Sequence, residues 1–198
     1  RASLLCGPPA AHDEQSLREA LARHCALSEG WIRGFGFHDS VCAQLDRHWL
    51  DGVCAERPVR IQHRSGMLWV LNSRALAHLR LAPGEILPPG AERAADGELS
   101  GRFCDLDGWL GARLQKAWPS LREVSAELAR RGITGVTDAG ARNGLSAWDA
   151  LGAAGKRGEL LQRVLVMGNE ELALASRASS GRIEVGPLKI YLREVDLP

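Results

Sequence analysis

A lysine lies within the last apolar stretch of the chain, GPLKIYL at residues 186–192. Leu188, Ile190 and Leu192 follow the period-two pattern of a β-strand. The alternation places Lys189 on the opposite face, where an unpaired ammonium is costly to bury. The other interpretation is a solvent-facing lysine on an edge strand, whose aliphatic stem packs while its charge reaches water. Lys189 is therefore the first candidate for a chemical role.

Two further residues are candidates for contact with a small molecule. Asp138 ends the predicted strand GITGVTD, and catalytic residues of α/β barrels collect at the carboxyl ends of strands. The alternative is that Asp138 accepts a hydrogen bond within the turn that follows it. His63 lies in QHRSG, either as a substrate contact or as a hydrogen-bonded histidine within a small β-layer. His38 and Asp39 are adjacent, so on a strand they face opposite ways and predict no dyad by themselves.

The charge balance and the cysteines argue against several classes of protein. Lysine and arginine number 25 and acidic residues 24, giving a net charge of +1 that indicates neither a nucleic-acid groove nor a membrane surface. No stretch has the length and apolarity of a membrane span. The five cysteines include no CxxC pair, which predicts reduced thiols in a cytoplasmic protein. Neither a disulfide framework nor a structural zinc site is expected from them.

Helices and short strands alternate irregularly in the first part of the chain. Residues 13–27 predict a helix that begins at Asp13, and GWIRGFGF predicts a strand. Residues 59–72 predict two strands joined near Ser65-Gly66, followed by a helix with Ser73 as its N-cap. The proline- and glycine-rich residues 82–98 predict an exposed loop that ends in a hairpin-type turn at Asp96-Gly97.

From Gly132 onward the pattern changes to a regular alternation of strands and helices. GITGVTDAG, QRVLVMGN and GPLKIYL predict strands, and the segments between them predict helices. A helix over residues 120–131 precedes them. Strands and helices that alternate with short loops favour parallel βαβ units.

Five segments of the chain, in this order, carry a family resemblance: WIRGFGFHDS, RPVRIQHRSGMLWVLNSRAL, ADGELSGRF, RGITGVTDAG and GPLKIYL. In this order and spacing they are similar to a stretch of family 3 amidohydrolases, and the resemblance covers almost the whole chain. The resemblance implies an α/β fold, namely a partial (β/α)8 TIM barrel with an inserted α+β lid or cap region. Residues 1–118 would form that inserted region, and residues 119–198 would be consecutive βα units of the barrel.

The resemblance also implies a chemistry and a cofactor. Family members hydrolyse C–N bonds of amide-like substrates with one or two divalent metals, commonly zinc, because a bound cation brings the pKa of water to about 7. Lys189 matches the family's lysine, which is often carboxylated and ligates metal. Asp138 and His63 fall where substrate contacts are expected. The family often reads SGH where Met67 follows Ser65-Gly66 here, which weakens a polar role for that loop.

The departures from the family suggest what the chain by itself lacks. It has no HxH motif, and none of its six histidines pairs with another at ligand spacing. The resemblance implies that the chain is the middle of such an enzyme and is not a competent metallohydrolase alone. The rival expectation is a non-catalytic truncated barrel that binds a partner, or a second copy of itself, through an uncovered sheet edge. A third is a small-molecule-binding α/β domain unrelated to hydrolases.

Overall fold

The computed structural model of the protein describes residues 3–27, 29–114, 120–174 and 181–190. The chain divides into two compact units, residues 1–116 and 117–198. Both units combine helices with β-sheet, so the α/β class expected from the sequence is confirmed. Within the described ranges, no helix is long and apolar enough to cross a membrane. The role of residues 1–118 as a lid stays a prediction.

Unit 1 is built on a mixed sheet whose strand order is β1-β2-β3-β4-β6-β5. Its elements are β1 (Leu4–Leu5), α1 (Glu14–Leu27), β2 (Ile32–Phe37), α2 (Arg47–Asp51), β3 (Val59–His63), β4 (Leu68–Leu71), α3 (Ser73–Ala77), β5 (Ala91–Arg93), β6 (Leu99–Cys104) and α4 (Asp107–Arg113). The pairs β1–β2 and β2–β3 are parallel, whereas β3–β4, β4–β6 and β5–β6 are antiparallel. Parallel βαβ alternation therefore begins at β1, well before the point where the sequence pattern predicted it.

The helical periodicity of α1 explains how it covers this sheet. Its buried side chains, Leu17, Leu21 and Cys25, recur every four residues and pack on the same core as Ile32 and Ile61. The helix begins as predicted, because the Asp13 carboxylate accepts a hydrogen bond from the Ser16 N–H at 2.8 Å.

Close packing of β2 depends on a glycine. A Cβ added at Gly34 would lie 2.5 Å from the Cys6 sulfur and 2.9 Å from a side-chain carbon of Ile61. Only hydrogen fits there, which accounts for the GFG pattern of this strand.

Three predictions for unit 1 need correction. The predicted loop 82–98 contains strand β5, which pairs with β6 across the expected turn at Gly97. Helix α4 was not predicted, because its DGWLGAR sequence is short and carries two glycines. The N-cap of α3 is Asn72 and not Ser73, since the Asn72 side chain accepts the Ala75 N–H.

Unit 2 contains a three-stranded parallel sheet in the order β7-β8-β9. Its described elements are α5 (Arg122–Arg130), β7 (Gly135–Asp138), α6 (Leu145–Lys156), β8 (Arg163–Gly168), α7 (Glu170–Leu174) and β9 (Ile183–Leu188). Trp148 and Leu151 of α6 pack on Val164, Val166 and Ile183. The predicted βαβ pattern of this region is confirmed.

The last strand differs from its prediction in position. It runs over Ile183–Leu188 and not over 186–192, so Lys189 directly follows the strand. The six residues of β8 set this limit, because they end at Gly168, whose partner is Leu188. The Lys189 N–H still donates to Gly168 O at 2.8 Å, which adds one backbone bond beyond the strand. Residues 191–198 lie outside the described residues.

Candidate functional site

Two parallel strands of unit 1 end side by side and bring three ionisable groups together. Phe37, the last residue of β2, is in register with His63, the last residue of β3. His38 and Asp39 follow Phe37 directly, so their side chains reach His63. The His63 Nε2 and Asp39 Oδ2 atoms are 3.5 Å apart, and the rings of His38 and His63 stack with centroids 5.6 Å apart.

Sequence reasoning named His63 but rejected His38 and Asp39. Considered as neighbours on one strand, the two residues predicted no dyad with each other. Their partner is instead on the next strand, 24 to 25 positions away. The signal that could have found them is the parallel pairing of β2 with β3, which places both carboxyl ends at one edge.

The hydrogen bonds around His63 fix which nitrogen carries its proton. The Ser65 N–H donates to His63 Nδ1 at 3.1 Å, and the Ser65 hydroxyl lies 2.8 Å from the same atom. Because Nδ1 accepts, neutral His63 carries its proton on Nε2, the atom that faces Asp39. Nε2 is buried and has no hydrogen-bond partner among the described residues.

Burial decides the pKa of His63. Desolvation lowers the pKa of His63 below its ordinary value of 6.5, and the nearby His38 adds to the lowering. The Asp39 carboxylate opposes this effect, but its side chain is 55% exposed, whereas that of His63 is 14% exposed. Water screens the exposed Asp39 carboxylate, so its attraction for the imidazolium is weak. The buried imidazolium also loses its own hydration, and the neutral form of His63 is therefore favoured.

The site contains the three residue types of a nucleophilic triad, namely Asp39, His63 and Ser65. Among the described residues it lacks the free N–H donors that form an oxyanion hole. A tetrahedral intermediate needs free N–H donors beside the serine. The N–H of Gly66 donates to His63 O at 2.9 Å, and that of Met67 donates to Ser65 Oγ at 3.2 Å. The same His-x-Ser contact recurs at His38 and Ser40, where the two side chains are 2.8 Å apart. This geometry fits a neutral imidazole that binds or orients a ligand better than acyl transfer.

In unit 2, each of the three parallel strands is followed or closed by a polar residue at its carboxyl end. These residues are Asp138 on β7, Asn169 after β8 and Lys189 after β9. The exposed Asp138 carboxylate accepts the Gly140 N–H at 3.1 Å, as its interpretation as a turn residue predicts. The Asn169 side chain accepts the Leu172 N–H at 3.1 Å at the start of α7. Substrate contact by Asp138 stays a prediction.

Lys189 lies just beyond the carboxyl end of β9. Its neighbour Leu188 pairs with Gly168 and is 45% exposed. The register of β8 and β9 shifts between Val166 and Gly168, so simple alternation does not assign the Lys189 side chain to one face of the sheet. Lys189 is half-buried and makes no ion pair within the described residues.

The described residues do not complete a catalytic metal centre. Asp138 and Lys189 lie on the two outer strands, which are separated by β8 and therefore about 10 Å apart. The described groups of three or more His, Cys, Asp or Glu side chains close enough to hold an ion include none at the carboxyl edge of either sheet. At the carboxyl edge of the unit 2 sheet, Lys189 is the one described residue that the family resemblance names as a metal ligand. No metal geometry is therefore assigned.

A cavity of about 390 Å³ lies at the opposite end of the unit 2 sheet. Its lining includes Thr134, Gln162 and Arg182, which precede β7, β8 and β9. The Gln162 amide is not free to bind a ligand. Its oxygen accepts a hydrogen bond from the Ser125 hydroxyl at 2.7 Å, and its nitrogen donates to two backbone carbonyls. The cavity therefore lies at the amino-terminal ends of the strands, away from Asp138, Asn169 and Lys189.

The cysteines also differ from their prediction. Cys25 and Cys54 form a disulfide, whereas Cys6, Cys42 and Cys104 are free. The pairing joins the last turn of α1 to the segment before β3, across a separation of 29 residues that no CxxC spacing reveals. Burial raises the pKa of the Cys6 thiol to about 12, so that free thiol is not a nucleophile.

Comparison with solved structures defines the class of fold. The chain is similar to the crystal structure of an uncharacterized metal-dependent hydrolase from Pyrococcus horikoshii OT3, with a TM-score of 0.65 and 17% identity over 94% of this chain. An uncharacterized metal-dependent hydrolase from Pyrococcus furiosus gives a TM-score of 0.55 and 18% identity over 89% of this chain. The chain spans 38% of the length of each of these hydrolases.

Sequence comparison then gives the family. The profile of the Amidohydrolase family (Amidohydro_3) matches residues 2–195, so the chain belongs to that family, as the five segments indicated. No curated protein sequence matches the chain significantly.

Proposed function

We propose that the chain is part of a cytoplasmic metal-dependent hydrolase that cleaves an amide or related C–N bond in a small molecule. The observation that carries this proposal is the family match over residues 2–195. The fold shared with two metal-dependent hydrolases supports it. A divalent cation, which we propose to be zinc, would supply an activated water at neutral pH.

The residues of this chain would bind the metal and orient the substrate. Lys189, in its carboxylated form, would supply one metal ligand from the carboxyl end of its sheet. Asp138 would contact the substrate at the carboxyl end of β7. Neutral His63 carries its proton on Nε2 beside Asp39, and we propose that these two side chains together hold a polar group of the substrate. The other metal ligands would lie outside the described residues.

A second candidate function rests on the outer strands of unit 2. Among the described residues, β7 and β9 each have a strand neighbour on one side. Leu188 and Ile190 are 45% and 68% exposed beside the β9 edge. An open edge with exposed apolar side chains pairs readily with another strand. We therefore propose homo-oligomerisation, or binding of a partner, as the alternative role.

The test begins with the intact mass of the native polypeptide in its source cells. A mass well above 21.4 kDa would lead to expression at that native length and to measurement of its zinc content and amide hydrolysis. A mass near 21.4 kDa would contradict the hydrolase proposal and leave the binding role.

Lys189→Met in the native-length protein is expected to remove hydrolysis and at least one equivalent of bound zinc. Methionine has no amine that could be carboxylated, so the proposed carboxylate ligand is lost. Lys156→Met is the matched control, since Lys156 is exposed at the end of α6. Elemental analysis and product release measure both effects. Unchanged zinc content and rate in the Lys189 variant would rule out the ligand role.

A further inference from the structure

We propose that reduced Cys25 and Cys54, together with Glu56, bind one divalent cation of the zinc type. One ligand atom from each of these residues lies within 4.8 Å of the others. Among the described residues, these three form the one group of His, Cys, Asp or Glu side chains whose ligand atoms are close enough to hold a metal ion. Two cysteine sulfurs and a carboxylate oxygen are donors that zinc accepts.

The position of Glu56 points to a missing ligand. Its Oε1 atom is 3.0 Å from the Cys25 sulfur, which is bonded to the Cys54 sulfur. A disulfide sulfur has no proton to donate, so this contact sets a carboxylate against sulfur lone pairs. Glu56 is exposed and forms no ion pair within the described ranges, so it is free to turn towards water. Glu56 nevertheless stays beside the Cys25 sulfur. A thiol proton or a cation between the carboxylate and the sulfur explains this position.

Burial and charge suit a thiolate site with an entry path. Cys25 is 4% exposed and Cys54 is fully buried, whereas Glu56 is exposed and opens the site to solvent. The Arg57 Nε–H donates to Cys25 O at 2.8 Å and holds the loop against α1. Two thiolates and one carboxylate carry one more negative charge than a divalent cation neutralises, and the Arg57 guanidinium offsets it.

Binding requires reduction of the disulfide. A dithiol reductant transfers two electrons and two protons to the Cys25–Cys54 bond and itself becomes a disulfide. The cation then displaces the two thiol protons and forms two metal–sulfur bonds. Zinc–sulfur bonds of about 2.3 Å place tetrahedral ligand sulfurs about 3.8 Å apart. Side-chain rotation can provide that separation, because the two Cα atoms are 6.0 Å apart.

This site is separate from the proposed hydrolytic one. Cys25 and Cys54 precede β2 and β3, so they lie at the amino-terminal ends of the strands whose carboxyl ends carry His38 and His63. A metal held here would join α1 to the segment that leads into β3, in the place of the disulfide. Its loss would leave the hydrolase proposal untouched, because Lys189 takes no part in it.

The test is titration of the 198-residue chain with Co²⁺ alone, after reduction by a phosphine and removal of oxygen. We expect one equivalent to bind with a thiolate-to-cobalt charge-transfer band, and the oxidised protein to show no band. Cys54→Ser should abolish the band, whereas Cys104→Ser, at an exposed free thiol, should leave it unchanged. A band that persists in Cys54→Ser, or none in the reduced wild type, would overturn the proposal.

Glu56→Gln keeps the test decisive if Cys54→Ser does not fold. Its side chain is exposed, so the fold should tolerate the change, and Co²⁺ affinity should fall by at least about tenfold, as even outer-shell losses cost that much. Glu19→Gln, an exposed change on α1, is the matched control. Equal affinity of the Glu56 and Glu19 variants would show that Glu56 is not a ligand.

Discussion

At the scale of single residues, two histidine–aspartate contacts of equal length differ in burial. His63 and Asp39 are 3.5 Å apart, as are His12 and Asp13. The His12 side chain is 73% exposed, whereas the His63 side chain is 14% exposed. Desolvation outweighs the attraction to a solvated carboxylate, and it keeps the imidazole of His63 neutral at the strand ends.

This difference predicts a pH-dependent stability. Because the pKa of folded His63 lies below its ordinary value of 6.5, the unfolded chain binds more protons in acid. The contribution of His63 is fully present above about pH 6.5 and is lost as the pH falls through the lower folded-state pKa. Urea denaturation from pH 7.5 to 5 should show a shallower decline for His63→Asn than for wild type.

His12→Asn is the matched control for that series. The change removes an exposed imidazole at the same distance from a carboxylate, so it controls for the substitution itself. A slope for His63→Asn equal to that of wild type would contradict the desolvation argument. NMR titration of the His63 imidazole checks the direction of its pKa shift.

At the scale of elements, Asn72 connects three segments of unit 1. Its buried side chain accepts the N–H groups of Val59 and Ala75, both at 2.9 Å. It donates to the carbonyls of Cys54 and Arg57 at 2.7 and 2.8 Å. All four hydrogen-bonding positions of the amide are occupied, so Asn72 positions β3 and α3 and is not available to a substrate.

Asn72→Ala should therefore destabilise unit 1 strongly. Four backbone groups lose their partner, and each buried unsatisfied group costs about 1–3 kcal/mol. We expect a loss of roughly 3 kcal/mol or more in urea denaturation, allowing for water that enters the space. Ser73→Ala, which removes an exposed hydroxyl contact with Asp51, should cost under about 1 kcal/mol. Similar losses for both variants would refute the network.

Two glycine-to-alanine changes should act in opposite directions. Gly34→Ala places a Cβ 2.5 Å from the Cys6 sulfur and should cost about 1–3 kcal/mol through overpacking. Gly108→Ala meets nothing within 4 Å and lies in α4, where alanine should stabilise by up to about 1 kcal/mol. Thermal unfolding of both variants checks the signs. Stabilisation by Gly34→Ala would show that β1 and β2 can separate.

At the scale of the whole molecule, the chain contains two units with separate sheets and covers 38% of each hydrolase that it resembles in fold. The carboxyl edges of its described parallel strands carry His38, His63, Asp138 and Lys189. None of these edges brings three metal-ligating groups together within the described residues. Under the proposed hydrolase function, the other metal ligands would lie outside the described residues.

Because the sequence has no HxH motif, we expect that the isolated 198-residue chain does not hydrolyse amides by itself. Incubation with Zn²⁺, Mn²⁺ or Co²⁺ and a panel of N-acyl and N-formyl compounds should release no product by chromatography. Analytical ultracentrifugation of the same sample should show self-association through the open strand edges. Hydrolysis that a chelator abolishes would contradict the first expectation, and a monomer at high concentration would contradict the second.

Much of the local structure could be read from the sequence. Helix α1 follows from its acidic first turn and from the leucines at 17, 21 and 27, and β2 follows from the GWIRGFGF segment. The turn at Gly97 follows from its Asp-Gly pair. Strand β5 was missed because three residues between prolines and a turn carry too little pattern, and only pairing with β6 defines them. The end of β9 was misplaced because the partner strand sets it.

The sequence by itself determined the α/β class and the family, because periodicity, turn residues and family segments are local properties of the chain. It also named Lys189 and Asp138 as candidates, and their roles stay predictions. Only the tertiary structure decided that Asp39 faces His63, that Cys25 meets Cys54 and Glu56, and that Asn72 is a structural hub. These contacts join residues as far as 31 positions apart. They depend on strand register and helix packing, which no local pattern of residues specifies.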